Sequence, residues 1–419
     1  MRAPMQPTRA RHTMLGFALA AMAVAYLDRV CISTAAPAIK ADLGLSDVQM
    51  GTVFSAFTLA YALFEVPSGW LADRFGARLT LTRIVVWWSA MTAATGAATG
   101  FGSLVLLRGL FGMGEAGVMP SLTRAFGRWL PLRERGRAFG LTIMAAALGG
   151  AVTQPIVVLM LGIVGWRQAF AIFACVGLVW AVLWFRWFRD EPGAHAGVNS
   201  AELAIIGCDV SSADHPRVPW RRLLRNRTML ALCAMYFGAI YGWYFYLTWL
   251  PTYLLRARGF DLEAVGWLAA LPLLAIAAGS LSGGALSDAL ARRFGARAGL
   301  RLPGLVGLPL AALAILGAIR TPEPRVAAFC LAAAAGLAAL GVAPAWSVCL
   351  AVGGRHAGVV SGAMNTFGNL GGVASPLAVG WSLDAIGSWD VPLYSVVAFY
   401  LLAALCWLGI DPAARIDEA

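Results

Sequence analysis

Arg108, Gly112 and Glu115 follow one another at i, i+4, i+7. On a helix that spacing puts all three on one face, with guanidinium and carboxyl about 10.5 Å apart along the axis. A planar guanidinium fork binds two carboxylate oxygens at once. Desolvation and a nearby Arg act on a buried carboxyl in opposite senses, which suits Glu115 to taking and releasing a proton. The structural alternative is that Arg108 and Glu115 only neutralise other buried charges. A second charged face comes earlier: Tyr26, Arg29 and Ser33 fall at i, i+3, i+7, and Asp28 points about 100° away from Arg29. Arg29 is a second anion-binding candidate. Asp28 is either a second proton carrier or the counter-charge of Arg29.

Other polar residues form stripes of their own. Ser55, Thr58, Tyr61 and Glu65 are spaced 3, 3 and 4 apart, and Ser361, Asn365 and Asn369 are spaced 4 and 4. Asn365 and Asn369 are suited to hydrogen-bonding substrate hydroxyls, or else to joining helices. Gln154, beside Pro155, is a further binding candidate. Tyr241, Tyr244 and Thr248 also share a face, where aromatics more often pack. The stretch G-M-G-E-A-G at 112–117 matches a dinucleotide-binding pattern in form. It follows no strand and lies inside an apolar span, so its glycines read as helix-packing positions. The four His and seven Cys make no metal-ligand spacing and no C-x-x-C pair, so neither a metal nor a cofactor is expected.

The elements that hold these residues follow from composition. Of 419 residues 60% are hydrophobic and 13% charged, and the mean hydropathy is +0.73. Soluble domains carry about 25% charge; this chain lacks the charges for a water-facing shell. Runs of 29, 28, 24 and 29 residues without Asp, Glu, Lys or Arg follow Arg137, Arg227, Glu263 and Arg325. Each exceeds the ~20 residues a spanning helix needs. Twelve spans are expected, at 13–37, 49–72, 79–99, 102–123, 137–160, 167–187, 228–252, 264–287, 300–319, 326–347, 356–382 and 391–410. Charges at span centres cost at least ~2.5 kcal/mol on insertion, which is what marks Asp28, Arg29, Arg108 and Glu115 as functional. The net charge of +11 is therefore a matter of topology, with no nucleic-acid partner implied. With the N-terminus inside, 24 of the 32 Lys and Arg lie in cytoplasmic segments and 6 in outer loops. Both termini are expected in the cytoplasm.

Two echoes divide the chain. G-W-L-A-D-R-F-G-A-R at 69–78 and G-A-L-S-D-A-L-A-R-R at 284–293 align at an offset of 215, pairing Asp73 with Asp288 and Arg78 with Arg293. Leu148-Gly149-Gly150 and Leu370-Gly371-Gly372 align at 222. The expected organisation is an all-α membrane protein of two pseudo-symmetric six-helix bundles, 1–188 and 228–419, joined by a cytoplasmic linker at 189–227. Parallel halves of this kind mark a rocking transporter.

The 69–78 segment resembles the signature loop of the major facilitator superfamily. Within it, Y-L-D-R at 26–29, R-G-L-F-G-M-G-E-A-G at 108–117, G-W-R-Q-A-F at 165–170 and T-W-L-P-T-Y at 248–253 resemble the anion:cation symporter family. The resemblance implies a secondary transporter that imports a small organic anion, a sugar acid or other carboxylate, with protons or sodium, in the bacterial inner membrane and as a monomer in the lipid bilayer. It makes Tyr61 a substrate contact. It makes Asp73, Arg74 and Arg78, with Asp288 in the second half, residues of a cytoplasmic gate, for which Glu134 is a candidate partner. Glu65 departs from the uncharged Gln of many members and belongs either to a gate or to an added proton site. A proton-driven exporter and an anion or phosphate-ester exchanger are the alternatives within the fold. A membrane-embedded enzyme lacks its nucleophile–base pair, and ATP-driven transport lacks its phosphate loop.

Overall fold

A computed structural model describes residues 6–207 and 225–414, so residues 208–224 of the linker lie outside the described residues. No strand occurs among the described residues. The first half contains α1 (Ala10–Leu43), α2 (Asp47–Thr95), α3 (Phe101–Glu115), α4 (Val118–Trp129), α5 (Leu132–Ile163) and α6 (Gly165–Trp187). The linker forms the short α7 (Ser200–Ile206). The second half contains α8 (Arg227–Thr248), α9 (Leu250–Arg256), α10 (Leu262–Phe294), α11 (Ala296–Arg320), α12 (Pro324–Ala339), α13 (Val342–Gly353), α14 (Ala357–Ile386) and α15 (Asp390–Gly409).

Nine helical stretches among the described residues are long and apolar enough to span a membrane. The expected span 356–382 falls within α14 apart from its first residue, His356, which caps the helix. The expected span 49–72 falls within α2, and 79–99 overlaps its second part and overruns its end at Thr95; α2 turns between them at Gly76 (φ 82°, ψ 163°). The expected spans 102–123 and 326–347 each lie in one candidate span, Phe101–Trp129 and Pro324–Gly353, whose helix is interrupted between α3 and α4 and between α12 and α13.

By compactness the described residues form two units, one from 6–31, 60–150 and 160–207, the other from 32–59, 151–159 and 225–414. This division follows contact, whereas the repeat follows sequence. In the first unit Trp180, Trp184 and Phe188 stack in series, with centroids 5.4 and 4.0 Å apart. The linker packs on this end: His195 lies against the rings of Trp129 and Trp187. Glu202 accepts from the backbone N–H groups of Arg9 and Arg11 and pairs with the Arg11 guanidinium at 3.0 Å.

The Leu-Gly-Gly echo has one local cause in both places. A Cβ on Gly149 would stand 2.6 Å from the Ala23 Cα of α1, and a Cβ on Gly371 would stand 2.3 Å from the Phe237 carbonyl oxygen of α8. Each glycine thus lets its helix approach the first helix of its own half at backbone distance.

The turn echo has a different register from the one the sequence alignment gives. Gly76 and Gly295 both take positive φ, 82° and 87°. Phe75-Gly76-Ala77-Arg78 therefore corresponds to Phe294-Gly295-Ala296-Arg297, an offset of 219. The 215 alignment matches helix-end residues but slides one helical turn off at the bend. An acid just after the last helix of each half meets this turn. Asp190 accepts from the Arg78 backbone N–H at 3.1 Å, and Asp411 lies 3.8 Å from Arg297.

Candidate functional site

The first unit brings the charged candidates of α1 and α3 together. Arg29 Nη2 lies 2.6 Å from Glu115 Oε1, with the two side chains 15% and 2% exposed. The Arg29 guanidinium carbon also stands 5.0 Å from the ring centres of both Tyr26 and Tyr61. A cation over aromatic faces is attracted by their quadrupoles, so Arg29 is aimed by two rings and one carboxylate. Arg108 is buried and lies over the Phe111 ring at 4.5 Å. Its charged neighbours include Glu115, Arg29 and Asp28.

Asp28 is fully buried, and neither of its carboxyl oxygens has a hydrogen-bond partner. Thr92 and Trp88 of α2 are its polar neighbours, outside hydrogen-bonding geometry. Of the two roles open for Asp28, counter-charge of Arg29 is the one Glu115 fills. The second oxygen of Glu115 is buried without a partner as well. Three elements set this cluster. α1 carries Asp28 and Arg29 on adjacent faces. α3 ends at Glu115, just before the break at Ala116 and Gly117. α2 presses Trp87 onto Gly114, where a Cβ would meet the ring at 2.0 Å. Glu65 is half-buried and close enough to Tyr61 to act on it electrostatically.

The remaining binding candidates belong to the second unit. Gln154 is buried and accepts from the Thr34 hydroxyl. Asn365 is half-buried; Asn369 is buried with its amide nitrogen unpartnered. Ser361 spends its hydroxyl on the Ala357 carbonyl of its own helix. The α8 stripe is packing: Tyr241 bonds Ser395 at 2.9 Å, Tyr244 lies against Gly372, and Thr248 donates to the Tyr244 carbonyl.

The gating candidates are dispersed. The side chain of Asp73 lies outside the described residues. Arg74 is exposed over the Trp70 and Phe75 rings. Arg78 donates to the Phe185 carbonyl at 2.7 and 3.0 Å. Asp288 is exposed and stands seven residues before Gly295, whereas Asp73 stands three before Gly76. Glu134, expected to meet a signature-loop Arg, pairs with Arg11 at 3.1 Å instead. The linker carboxylate Glu202 also holds the Arg11 guanidinium. The sequence held one signal for that clasp: Asn199 three residues before Glu202 is a helix-capping pattern, and Asn199 does accept from the Glu202 N–H at 2.9 Å.

Two halves that repeat in sequence, a glycine turn after the second helix of each, and buried opposite charges on the first and fourth spans are thus in place. The chain matches the Major Facilitator Superfamily over residues 18–376. It belongs to that superfamily. A protein named a probable sulfoacetate transporter in Cupriavidus necator is 38% identical, over 99% of this chain and 96% of its own length. The hexuronate transporter of Bacillus subtilis is 32% identical over 89% of this chain and 88% of its own. The D-galactonate transporter of Escherichia coli is 30% identical over 96% of each. A bacterial homologue of the human lysosomal transporter Spinster, solved inward-facing and unoccupied, matches the fold with a TM-score of 0.75 at 20% identity, covering 98% of this chain and 96% of its own. The superfamily member described here is an integral membrane transport protein, not an enzyme.

Proposed function

We propose that this transporter imports a small organic anion, a sugar acid or another small carboxylate, together with protons by alternating access. The observation that carries the reading is the buried Arg29–Glu115 pair, with Arg108 and Asp28 as charged neighbours. Small acids named for the relatives support the same class of substrate. Ionised, Glu115 occupies the Arg29 fork. Protonated, it frees that fork for the carboxylate of the anion, and Arg108 supplies a second cation. Proton and anion binding are then reciprocally linked, as any coupling free energy must be. Asp28 is a second proton carrier, and Glu65 the next. Tyr61 holds Arg29 in place and contacts substrate; Gln154, Asn365 and Asn369 meet its hydroxyls. Asp73, Arg74, Arg78 and Asp288 serve the cytoplasmic gate. The protein works as a monomer in the bacterial inner membrane with both termini in the cytoplasm.

Glu115→Gln tests the coupling in proteoliposomes. It is expected to keep counterflow of labelled against unlabelled anion and to lose accumulation driven by a pH gradient. Wild-type accumulation would move the proton to Asp28 and then Glu65; a requirement for sodium would replace the proton as co-ion. Cysteines introduced in the 189–227 linker are expected to stay shielded from an impermeant thiol reagent in intact cells.

A further inference from the structure

The second unit contains a junction between the start of α2 and the end of α14 that none of these roles uses. Asp384, two residues from the end of α14, accepts from the backbone N–H of Asp47 at 3.0 Å and of Val48 at 2.8 Å. The Ser46 hydroxyl is a polar neighbour of the same carboxylate. First-turn N–H groups have no partner within their own helix, and a carboxylate there also meets the positive end of the helix dipole. Asp47, whose backbone is held in this way, pairs its own carboxylate with Lys40 and with Arg256, whose Nη1 lies 2.9 and 3.0 Å from its oxygens.

Below these charges the two helices meet at backbone distance. A Cβ on Gly380 would stand 2.4 Å from the Asp47 carbonyl oxygen, and one on Gly51 would stand 2.3 Å from the Pro376 carbonyl oxygen. Ser55 donates to the Val373 carbonyl at 2.7 Å, and Trp249 to that of Pro376 at 3.2 Å. The seam is thus sealed by glycine contacts and tied at its rim by one carboxylate.

α2 belongs to the first half of the repeat and α14 to the second. Halves that rock must part at each face in turn, and the charge asymmetry of the loops puts this seam on the exterior side. We propose that Asp384 is the exterior latch of the transporter, a positioning residue that clasps the N-terminus of α2 while the Gly51–Gly380 seam is closed. The inference rests on the transporter reading above. Asp384 is itself exposed, so on release its carboxylate and the two N–H groups return to water. That keeps the cost of opening modest and the latch reversible.

Two experiments test it. Ser46→Cys combined with Asp384→Cys replaces the latch with a disulfide. Cross-linking is expected to stop counterflow and gradient-driven uptake, and dithiothreitol to restore both. Full transport after complete cross-linking would show that the seam never opens. Separately, Ser55→Cys reports the seam through its modification by an impermeant maleimide added outside intact cells. Asp384→Asn is expected to raise that rate about five-fold, equivalent to ~1 kcal/mol. Gly380→Ala, which wedges the seam, is expected to raise it further. Unchanged rates in both variants would overturn the latch. The labelling needs no substrate: raised rates in a protein that shows no anion counterflow before cross-linking would sustain the latch and sink the proposed function.

Discussion

Two regions use carboxylates in opposite ways. In the first unit Glu115 is held by another side chain, Arg29, while its second oxygen and both oxygens of Asp28 stay buried without a hydrogen-bond partner. In the second unit Asp384 is exposed and held by backbone N–H groups. A side-chain pair can exchange partners in place, when a proton or an anion arrives, without any helix moving. A carboxylate bound to backbone is released only if the helix carrying that backbone is displaced. In the proposed function the chemistry that switches locally sits on paired side chains, and in the proposed latch the contact that reports helix displacement sits on main chain. Breaking a buried pair costs ~3–5 kcal/mol, yet replacing it with apolar residues is often neutral or better. Stability alone does not account for keeping such a pair.

The largest expected effect separates the two regions most sharply. Arg29→Lys keeps the charge and removes the fork, so anion affinity is expected to fall by about 2 kcal/mol, roughly thirty-fold. Binding measured on purified protein checks this; unchanged affinity would take Arg29 out of the anion site. Next comes the seam. Gly380→Ala forces a Cβ into the Asp47 carbonyl and is expected to lower stability by about 1–3 kcal/mol. Gly16→Ala, in α1 with nothing within 4 Å of its added Cβ, is expected to gain ~0.5–1 kcal/mol. A Gly380→Ala thermal midpoint no lower than that of the unaltered protein would mean that the seam is not tightly packed.

Glu202 combines both modes, since it takes two backbone N–H bonds and an Arg11 guanidinium. Burial opposes its ionised form, but those three partners outweigh burial and hold its carboxyl below the usual range. A depressed folded-state pKa stabilises above the unfolded value of 4.5, and that contribution is lost as pH falls below it through the folded value. Glu202→Gln is expected to cost about 1.5 kcal/mol at pH 7, with the gap to the unaltered protein closing as the melts are carried into acid. A gap independent of pH would mean that the charge of Glu202 contributes nothing. The smallest effect belongs to the open ion pair Arg128–Glu191, at 3.1 Å with side chains 36% and 63% exposed. Glu191→Gln is expected to change stability by only ~0–1 kcal/mol.

The sequence by itself determined the helical membrane class, the two sequence echoes and which charges, Asp28, Arg29, Arg108 and Glu115, fall inside apolar runs. The reason is burial. A charge inside an apolar run is costly wherever the helix goes, so its position in the run already marks it. Spacing also fixed which residues share a face, as for Arg108 and Glu115. Only the tertiary structure decided who meets whom across helices. Arg29 pairs with Glu115 rather than with its neighbour in sequence, Asp28, because side chains one residue apart on a helix diverge by 100° and α3 supplies a carboxylate where α1 does not. Glu134 pairs with Arg11, whose guanidinium is also held by Glu202, 68 residues later in the chain. Positive φ at Gly76 and Gly295 places both turns at the identical Phe-Gly-Ala-Arg stretches, so the structure picks the 219 offset, which the sequence also carries, over the 215 one. Asp384 capping α2, across 336 residues of chain, leaves no mark in either local sequence. Helical periodicity orients a side chain about its own axis; the helix that packs against that face is chosen only when the chain folds.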